Sequence, residues 1–180
     1  MLKVYIEDIA AKLEGNSTGS WITLPIEENE LIEEIDEILK RGEVLSRSSN
    51  LHQECEIKDY EWDEDVCEIF SINTDDDIYK INNDLILIED EAQPYEYKII
   101  KFLLDDNYAY AVENAIEKLD EVSLYEDCSL ENVASQMFDD IYGSEINETI
   151  TYYIDFKQWG EDLRHDGYVQ IGKDVFHYPF

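Results

Sequence analysis

Carboxylates are the most abundant side chains of this sequence that could do chemistry. The chain has 45 Asp and Glu against 13 Lys and Arg, which gives a formal net charge of −32. Paired carboxylates can act as general acid and base, and clustered ones can bind Ca²⁺. With so many acids, such pairs arise everywhere by chance. Neither acidic run, 63–65 or 75–77, is followed by the Gly and Glu positions of an EF-hand loop.

The remaining reactive side chains favour a protein without catalysis. The three histidines lie far apart without HExxH spacing, and Cys55, Cys67 and Cys128 form no CxxC pair, so we expect free thiols. No GxSxG, P-loop or GxGxxG motif occurs. The sequence therefore predicts no enzymatic activity, no cofactor and no metal site. A metal-assisted hydrolase built from buried carboxylates is the alternative that spacing alone leaves open.

The distribution of charge indicates a partner. Residues 51–100 hold 16 acids and 3 bases, and residues 101–150 hold 13 and 2. Duplex DNA carries one negative charge per ~1.7 Å of its axis, so 32 charges correspond to roughly 54 Å of duplex. A moderately elongated fold would reach a similar charge density. These numbers favour a DNA mimic that occupies the DNA-binding groove of a nucleic-acid enzyme and does not itself bind nucleic acid.

The composition is that of a folded protein outside the membrane. Hydrophobic residues make up 44% of the chain and aromatic residues 12%, which is enough apolar material for a core. No run approaches the roughly 18 apolar residues of a membrane span. The N-terminus also lacks the basic-then-apolar layout of a signal peptide. We therefore expect a cytoplasmic location and no membrane association.

Short strands and amphipathic helices alternate along the first part of the chain. Alternating residues predict strands at 2–6, 21–24 and 54–60. Between the second and third strands, apolar residues at helical spacing with acids on the other face predict a helix that ends at Gly42. Thr74, followed by three aspartates, is the predicted N-cap of the next helix.

The second part of the chain continues this alternation and predicts an α+β fold. Pro94 favours a helix start, and another helix is predicted at 110–119. The residues expected to cap the last two helices are Ser129 and Asp155. The further predicted strands cover 122–125, 168–171 and 175–178.

Four segments, in the right order, resemble the ArdA antirestriction proteins. They are VYIEDIAAKLEGNSTGSWITLP (4–25), HQECEIKDYE (52–61), EKLDEVSLYEDCSLENVASQMFDD (117–140) and YYIDFKQWGEDLRHDGYVQIGKDVFHY (152–178). The segment RGEVLSRSSNLHQ (41–53) departs from the resemblance, because it is less acidic than expected.

The resemblance implies a protein of mobile genetic elements that inhibits type I restriction-modification enzymes. It implies a homodimer of elongated, curved subunits whose carboxylates imitate the phosphates of bent DNA. Three small domains are expected: an N-terminal α+β domain at 1–61, a central helical domain at 62–104 and a C-terminal α+β domain at 105–180. The partner would be the methyltransferase core of the restriction enzyme.

Two sets of site residues follow from this hypothesis. The predicted phosphate-mimicking acids are Glu61, Asp63, Glu64, Asp65, Asp75, Asp76, Asp77, Asp105, Asp106, Glu113, Glu117, Asp120 and Glu121. The predicted dimer-interface residues lie on the helix after Ser129 and are Leu130, Val133, Ala134 and Met137. The alternative for Val133 and Met137 is that they belong to the core of their own chain. The alternative function is a general acidic adaptor or decoy for basic DNA-binding proteins.

Overall fold

The chain folds into two compact units. A computed structural model describes residues 1–46, 52–63, 67–143 and 151–179. The units are Met1–Ile116 and Glu117–Phe180, called here the N-terminal and C-terminal units. Each contains its own three-stranded antiparallel sheet together with helices, which confirms the predicted α+β class. The division into three domains stays a prediction, and its boundary after residue 61 lies inside the N-terminal unit.

The N-terminal sheet has the strand order β2-β1-β3. Its strands are β1 (Leu2–Asp8), β2 (Ser20–Leu24) and β3 (Cys55–Trp62). The alternation that predicted β1 also sets its core face, because Leu2, Val4 and Ile6 are buried. A short helix that the sequence analysis did not predict, α1 (Ile9–Leu13), begins where the Asp8 carboxylate accepts two backbone N–H groups.

Helix α2 (Glu28–Leu45) covers this sheet with its apolar stripe, in which Leu31, Ile35 and Ile38 are buried. The prediction that Gly42 ends the helix is wrong, since the helix continues for three more residues. Gly42 is needed for packing instead. An added Cβ would overlap the carboxylate of Asp8, so only glycine lets the helix approach this side chain.

Three more helices follow along the chain: α3 (Ile78–Glu91), α4 (Tyr97–Asp105) and α5 (Val112–Glu117). The predicted cap of α3 is wrong, because Asp77 and not Thr74 accepts the first N–H, from Tyr79 at 2.9 Å. The residues before it form a separate turn, in which the backbone N–H of Asn73 donates to Asp76 at 2.7 Å.

Two further helix boundaries in this region involve 3₁₀ turns. Pro94 opens a short 3₁₀ turn that leads into α4, as predicted. The helix predicted at 110–119 is shorter than expected: it ends at Glu117 and is followed by a 3₁₀ turn, Leu119–Glu121.

The C-terminal sheet has the strand order β4-β6-β5. Its elements, in chain order, are β4 (Ser123–Tyr125), α6 (Leu130–Tyr142), α7 (Phe156–Leu163), β5 (Tyr168–Ile171) and β6 (Asp174–His177). Both predicted caps are confirmed: Ser129 accepts a backbone N–H at 3.2 Å, and Asp155 accepts one at 2.9 Å.

Helices α6 and α7 pack closely against each other in the C-terminal unit. The contact depends on Gly160, because an added Cβ would lie 2.7 Å from the carbonyl carbon of Leu130 and 2.8 Å from the backbone nitrogen of Glu131. The core beside this contact contains Val133, Leu163 and Val175.

Candidate functional site

The possible metal ligands do not gather into one site within the described residues. Within residues 1–46, 52–63, 67–143 and 151–179, no group of three or more His, Cys, Asp or Glu side chains is placed to hold a metal ion. His52 is buried against Asp8, and the ring of His177 stacks on Tyr168 with centroids 4.0 Å apart. Each of these histidines therefore has a packing role.

Two of the three thiols, those of Cys55 and Cys67, have a raised pKa. Burial raises the pKa of the Cys55 thiol to about 11, and the negative charge of Asp8 acts in the same direction. Burial also raises the pKa of Cys67, although Lys98 and Lys101 oppose the effect. Since the thiolate is the reactive form, both cysteines are poor nucleophiles near neutral pH.

The predicted phosphate-mimicking acids are almost all on the surface. Glu64 and Asp65 lie outside the described residues. Asp63 is half-buried, and every other member of the set is exposed: Glu61, Asp75, Asp76, Asp77, Asp105, Asp106, Glu113, Glu117, Asp120 and Glu121. Their exposure satisfies the first requirement for contact with a partner, which is access to the carboxylate.

Two of these acids carry a compensated charge. Asp63 lies 3.3 Å from the N-terminal ammonium group, and Asp105 lies 3.2 Å from Lys101 one helical turn away. A cation at this distance cancels much of the field that a partner would meet. Asp63 and Asp105 are therefore weaker phosphate substitutes than a lone exposed carboxylate.

The three consecutive aspartates before α3 are held in place to different degrees. One Asp76 oxygen accepts the Asn73 N–H, and one Asp77 oxygen caps the helix. Both stand at the positive end of a helix dipole, a position that suits a negatively charged side chain. The side chain of Asp75 is exposed to solvent. This turn thus presents ordered negative charge on a rigid element.

Sequence reasoning left out the acidic face of α2, although the signal was present. Glu30, Glu33 and Glu37 recur at the three- and four-residue spacing that places side chains on one helix face, and all are exposed. They lie outside residues 51–150, where the charge excess is greatest. Spacing, and not regional charge, is the signal that identifies this face.

The predicted dimer-interface residues face the interior of their own unit. Leu130, Val133 and Ala134 are buried, and Met137 packs against the same core. The apolar stripe of α6 is thus already covered by its own unit. The more exposed apolar residues of this helix are Ile141 and Tyr142, at 57% and 44% exposure. The homodimer itself stays a prediction.

No helix within the described residues is both long enough and apolar enough to cross a membrane.

Fold and surface together define an acidic α+β protein that presents ordered carboxylates. A comparison with family models gives a match to the family described as "Antirestriction protein (ArdA)" over residues 4–177. A comparison with individually curated proteins gave no match. The chain belongs to the ArdA antirestriction family.

Proposed function

We propose that this protein inhibits type I restriction-modification enzymes by occupying the DNA-binding groove of their methyltransferase core. The observation that carries the proposal is the family match over residues 4–177, combined with exposed carboxylates on capped helices and a net charge of −32. In this proposal the protein does no chemistry of its own. It acts in the cytoplasm as a homodimer and is carried by mobile genetic elements.

The physical basis is competition for cationic side chains. A DNA-binding groove gains affinity by releasing the counterions condensed on phosphates, and a surface of similar charge density can replace the duplex. Each carboxylate contributes little by itself. Affinity then depends on how many uncompensated carboxylates meet the groove, and it falls steeply with salt.

The rigidity of the surface supports mimicry by shape. Asp76 and Asp77 are fixed by hydrogen bonds of 2.7 and 2.9 Å, so their charges do not have to be ordered on binding. A flexible polyanion would lose conformational entropy at that step. A folded acidic protein should therefore compete better than a flexible chain of equal charge.

The test is displacement of labelled DNA from a purified type I methyltransferase across a salt series, with polyglutamate as the control for charge alone. We expect the protein to displace DNA at lower concentration than polyglutamate at equal charge. If it does no better, mimicry by shape is wrong. If it also binds unrelated basic proteins equally well, a general acidic adaptor explains the surface instead.

A matched pair of variants sharpens this test. The first neutralises four exposed acids: Glu113→Gln, Glu117→Gln, Asp120→Asn and Glu121→Gln. The second neutralises four acids that already face a cation within 3.5 Å: Asp63→Asn, Asp84→Asn, Asp105→Asn and Glu161→Gln.

Both variants change the net charge equally, so any difference between their affinities for the methyltransferase reports where the neutralised acids lie on the surface. We expect the first to lower the slope of log affinity against log salt by about 3 to 4 units, because roughly 0.9 of a counterion is released per charge. The second should change it less. Equal losses would mean that total charge alone matters.

A further inference from the structure

One groove of the N-terminal unit differs in chemistry from the rest of this acidic chain. It lies between the segment 17–19 and the C-terminal turns of α2, and its volume is about 480 Å³. Among the described residues that line it, the charged ones, Lys40 and Arg41, are cations, and Val44 and Leu45 are aliphatic. Arg41, Val44 and Leu45 belong to the segment 41–53, which is less acidic than the resemblance leads us to expect.

The two cations are available to a partner. Lys40 lies 3.8 Å from Asp36, but the two side chains are 70% and 56% exposed, and such surface pairs contribute little. Arg41 donates from Nε to the backbone carbonyl oxygen of Glu37 at 3.3 Å. That acceptor is neutral, so the contact orients the guanidinium without cancelling its charge.

The wall formed by segment 17–19 is held by β1. The Ser17 hydroxyl donates to the buried carboxylate of Glu7 at 2.8 Å. Gly19 lies so close to the ring of Tyr5 that any added side-chain atom would overlap it. This wall is therefore ordered before a partner arrives, which reduces the entropic cost of binding.

The opposite wall, formed by α2, is held by the next residue of the same strand. Asp8 pairs with the buried His52, and Gly42 of α2 packs directly on this pair. Glu7 and Asp8 thus fix the two walls of one groove from adjacent positions. The groove is a built feature of the N-terminal unit and not a gap between mobile loops.

The aliphatic side chains of the groove are unusually exposed. Val44 is 84% and Leu45 is 53% exposed to solvent. Small-molecule sites enclose most of their ligand, whereas this groove is open along the Val44 side. An open apolar strip beside two cations matches an extended chain with acidic and aliphatic side chains.

We propose that this groove binds a partner protein through an acidic segment that carries aliphatic side chains. Its carboxylates pair with Lys40 and Arg41, and its aliphatic groups pack on Val44 and Leu45. This contact is separate from the proposed occupation of a DNA-binding groove, because a cationic groove would repel Lys40 and Arg41. The inference therefore does not depend on the antirestriction proposal.

The binding of an acidic segment to this groove and the binding of the protein to a DNA-binding groove should depend on salt in opposite directions. At 10 mM salt the Debye length is about 30 Å, so the net charge of −32 repels an acidic segment from a distance. At 150 mM it is about 8 Å, and the nearby cations of the groove dominate. Binding of an acidic segment here should therefore tighten as salt rises over this range, whereas binding to a DNA-binding groove should weaken.

The test uses fluorescence anisotropy of a labelled octapeptide that alternates Glu and Leu, titrated with the full-length protein at 10 and 150 mM salt. We expect binding that is several-fold tighter at 150 mM. Lys40→Glu with Arg41→Glu should abolish it, and Val44→Ser with Leu45→Ser should weaken it at least tenfold. Circular dichroism of each variant checks that the fold is retained.

The matched control carries the same charge change on another surface, as Lys157→Glu with Lys173→Glu, and should bind like the wild type. The proposal is overturned if the Glu-Leu peptide fails to bind, or binds the wild type and the groove variants equally. It is also overturned if sedimentation shows that the groove variants abolish self-association, since the occupant would then be a second copy of the chain.

Discussion

The two units use similar sheets but fill their cores with different chemistry. In each sheet the middle strand pairs with both neighbours, β1 in the N-terminal unit and β6 in the C-terminal unit. The N-terminal core is aliphatic and encloses Glu7, Asp8, His52 and Asn82. The described part of the C-terminal unit buries no charged or amide side chain.

Aromatic packing takes the place of buried polar pairs in the C-terminal unit. The ring of Phe138 contacts the rings of Phe156 and Trp159 at centroid distances of 5.5 and 6.4 Å. Such contacts tolerate changes in pH because none of these groups titrates. The buried carboxylates of the N-terminal unit need cations and donors at fixed positions, so this unit should respond to acid and to small displacements.

The largest expected effect is in the C-terminal unit. Gly160→Ala places a Cβ 2.7 Å from the backbone of Leu130, and backbone atoms cannot rotate away. We expect a loss of about 3 kcal/mol in the free energy of unfolding, at the upper end of overpacking costs. Hydrogen exchange measured by mass spectrometry, resolved by unit, would detect it. Lys157→Ala on the same helix is the control, and an unchanged Gly160→Ala variant would contradict the close contact.

A smaller loss is expected at the corresponding glycine of the N-terminal unit. Gly42→Ala should gain about 1 kcal/mol from helix propensity. It also displaces the buried Asp8 carboxylate, which caps α1 and pairs with His52. Because side chains can shift more easily than backbone, we expect a net loss of about 1–2 kcal/mol. Urea denaturation measures this loss, with Glu43→Ala as the control. A stabilised Gly42→Ala variant would show that Asp8 and His52 can shift to make room for the added methyl group.

The smallest expected effect is the dependence on pH that Glu7 gives to the stability of the N-terminal unit. Burial acts to raise the pKa of Glu7, but hydrogen bonds from Lys58 and Ser17 outweigh it, and the pKa lies below its usual 4.5. The folded state therefore favours the carboxylate. Its contribution to stability is present above pH 4.5 and is lost as pH falls through the lower, folded-state pKa.

Glu7→Gln isolates this contribution from the other acids. The difference in urea midpoint between the wild type and Glu7→Gln should shrink as pH falls from 7 to below 4.5. Glu61→Gln, at an exposed position of the same sheet, should show no such trend. A constant difference would mean that the two contacts of Glu7 do not favour its charged form.

Local patterns predicted most elements and failed where distant residues meet. The Ser129 and Asp155 caps were correct because a cap depends on residues three positions apart. Gly42 was misread as a helix end because the reason for glycine there is Asp8, which is far away in sequence. Thr74 was misread for a local reason, since the cap lies three residues further on, where the carboxylate of Asp77 accepts the Tyr79 N–H.

Some features of the acidic surface could likewise be predicted from local sequence, and others could not. Exposure of the acids could be predicted, because charged side chains are seldom buried without partners. The pairing of Asp105 with Lys101 was also readable from their four-residue spacing. The contact of Asp63 with the N-terminus was not, because the two groups are far apart in sequence.

By itself the sequence determined the charge, the α+β class and the resemblance to ArdA proteins, because composition and short-range periodicity contain this information. The tertiary structure decided the order of strands, which carboxylates face a cation, and which surface is cationic. Glu7 and Asp8 show the reason. Their partners Ser17, Lys58 and His52 come from separate parts of the chain, so only folding brings these groups together and fixes the groove beside them.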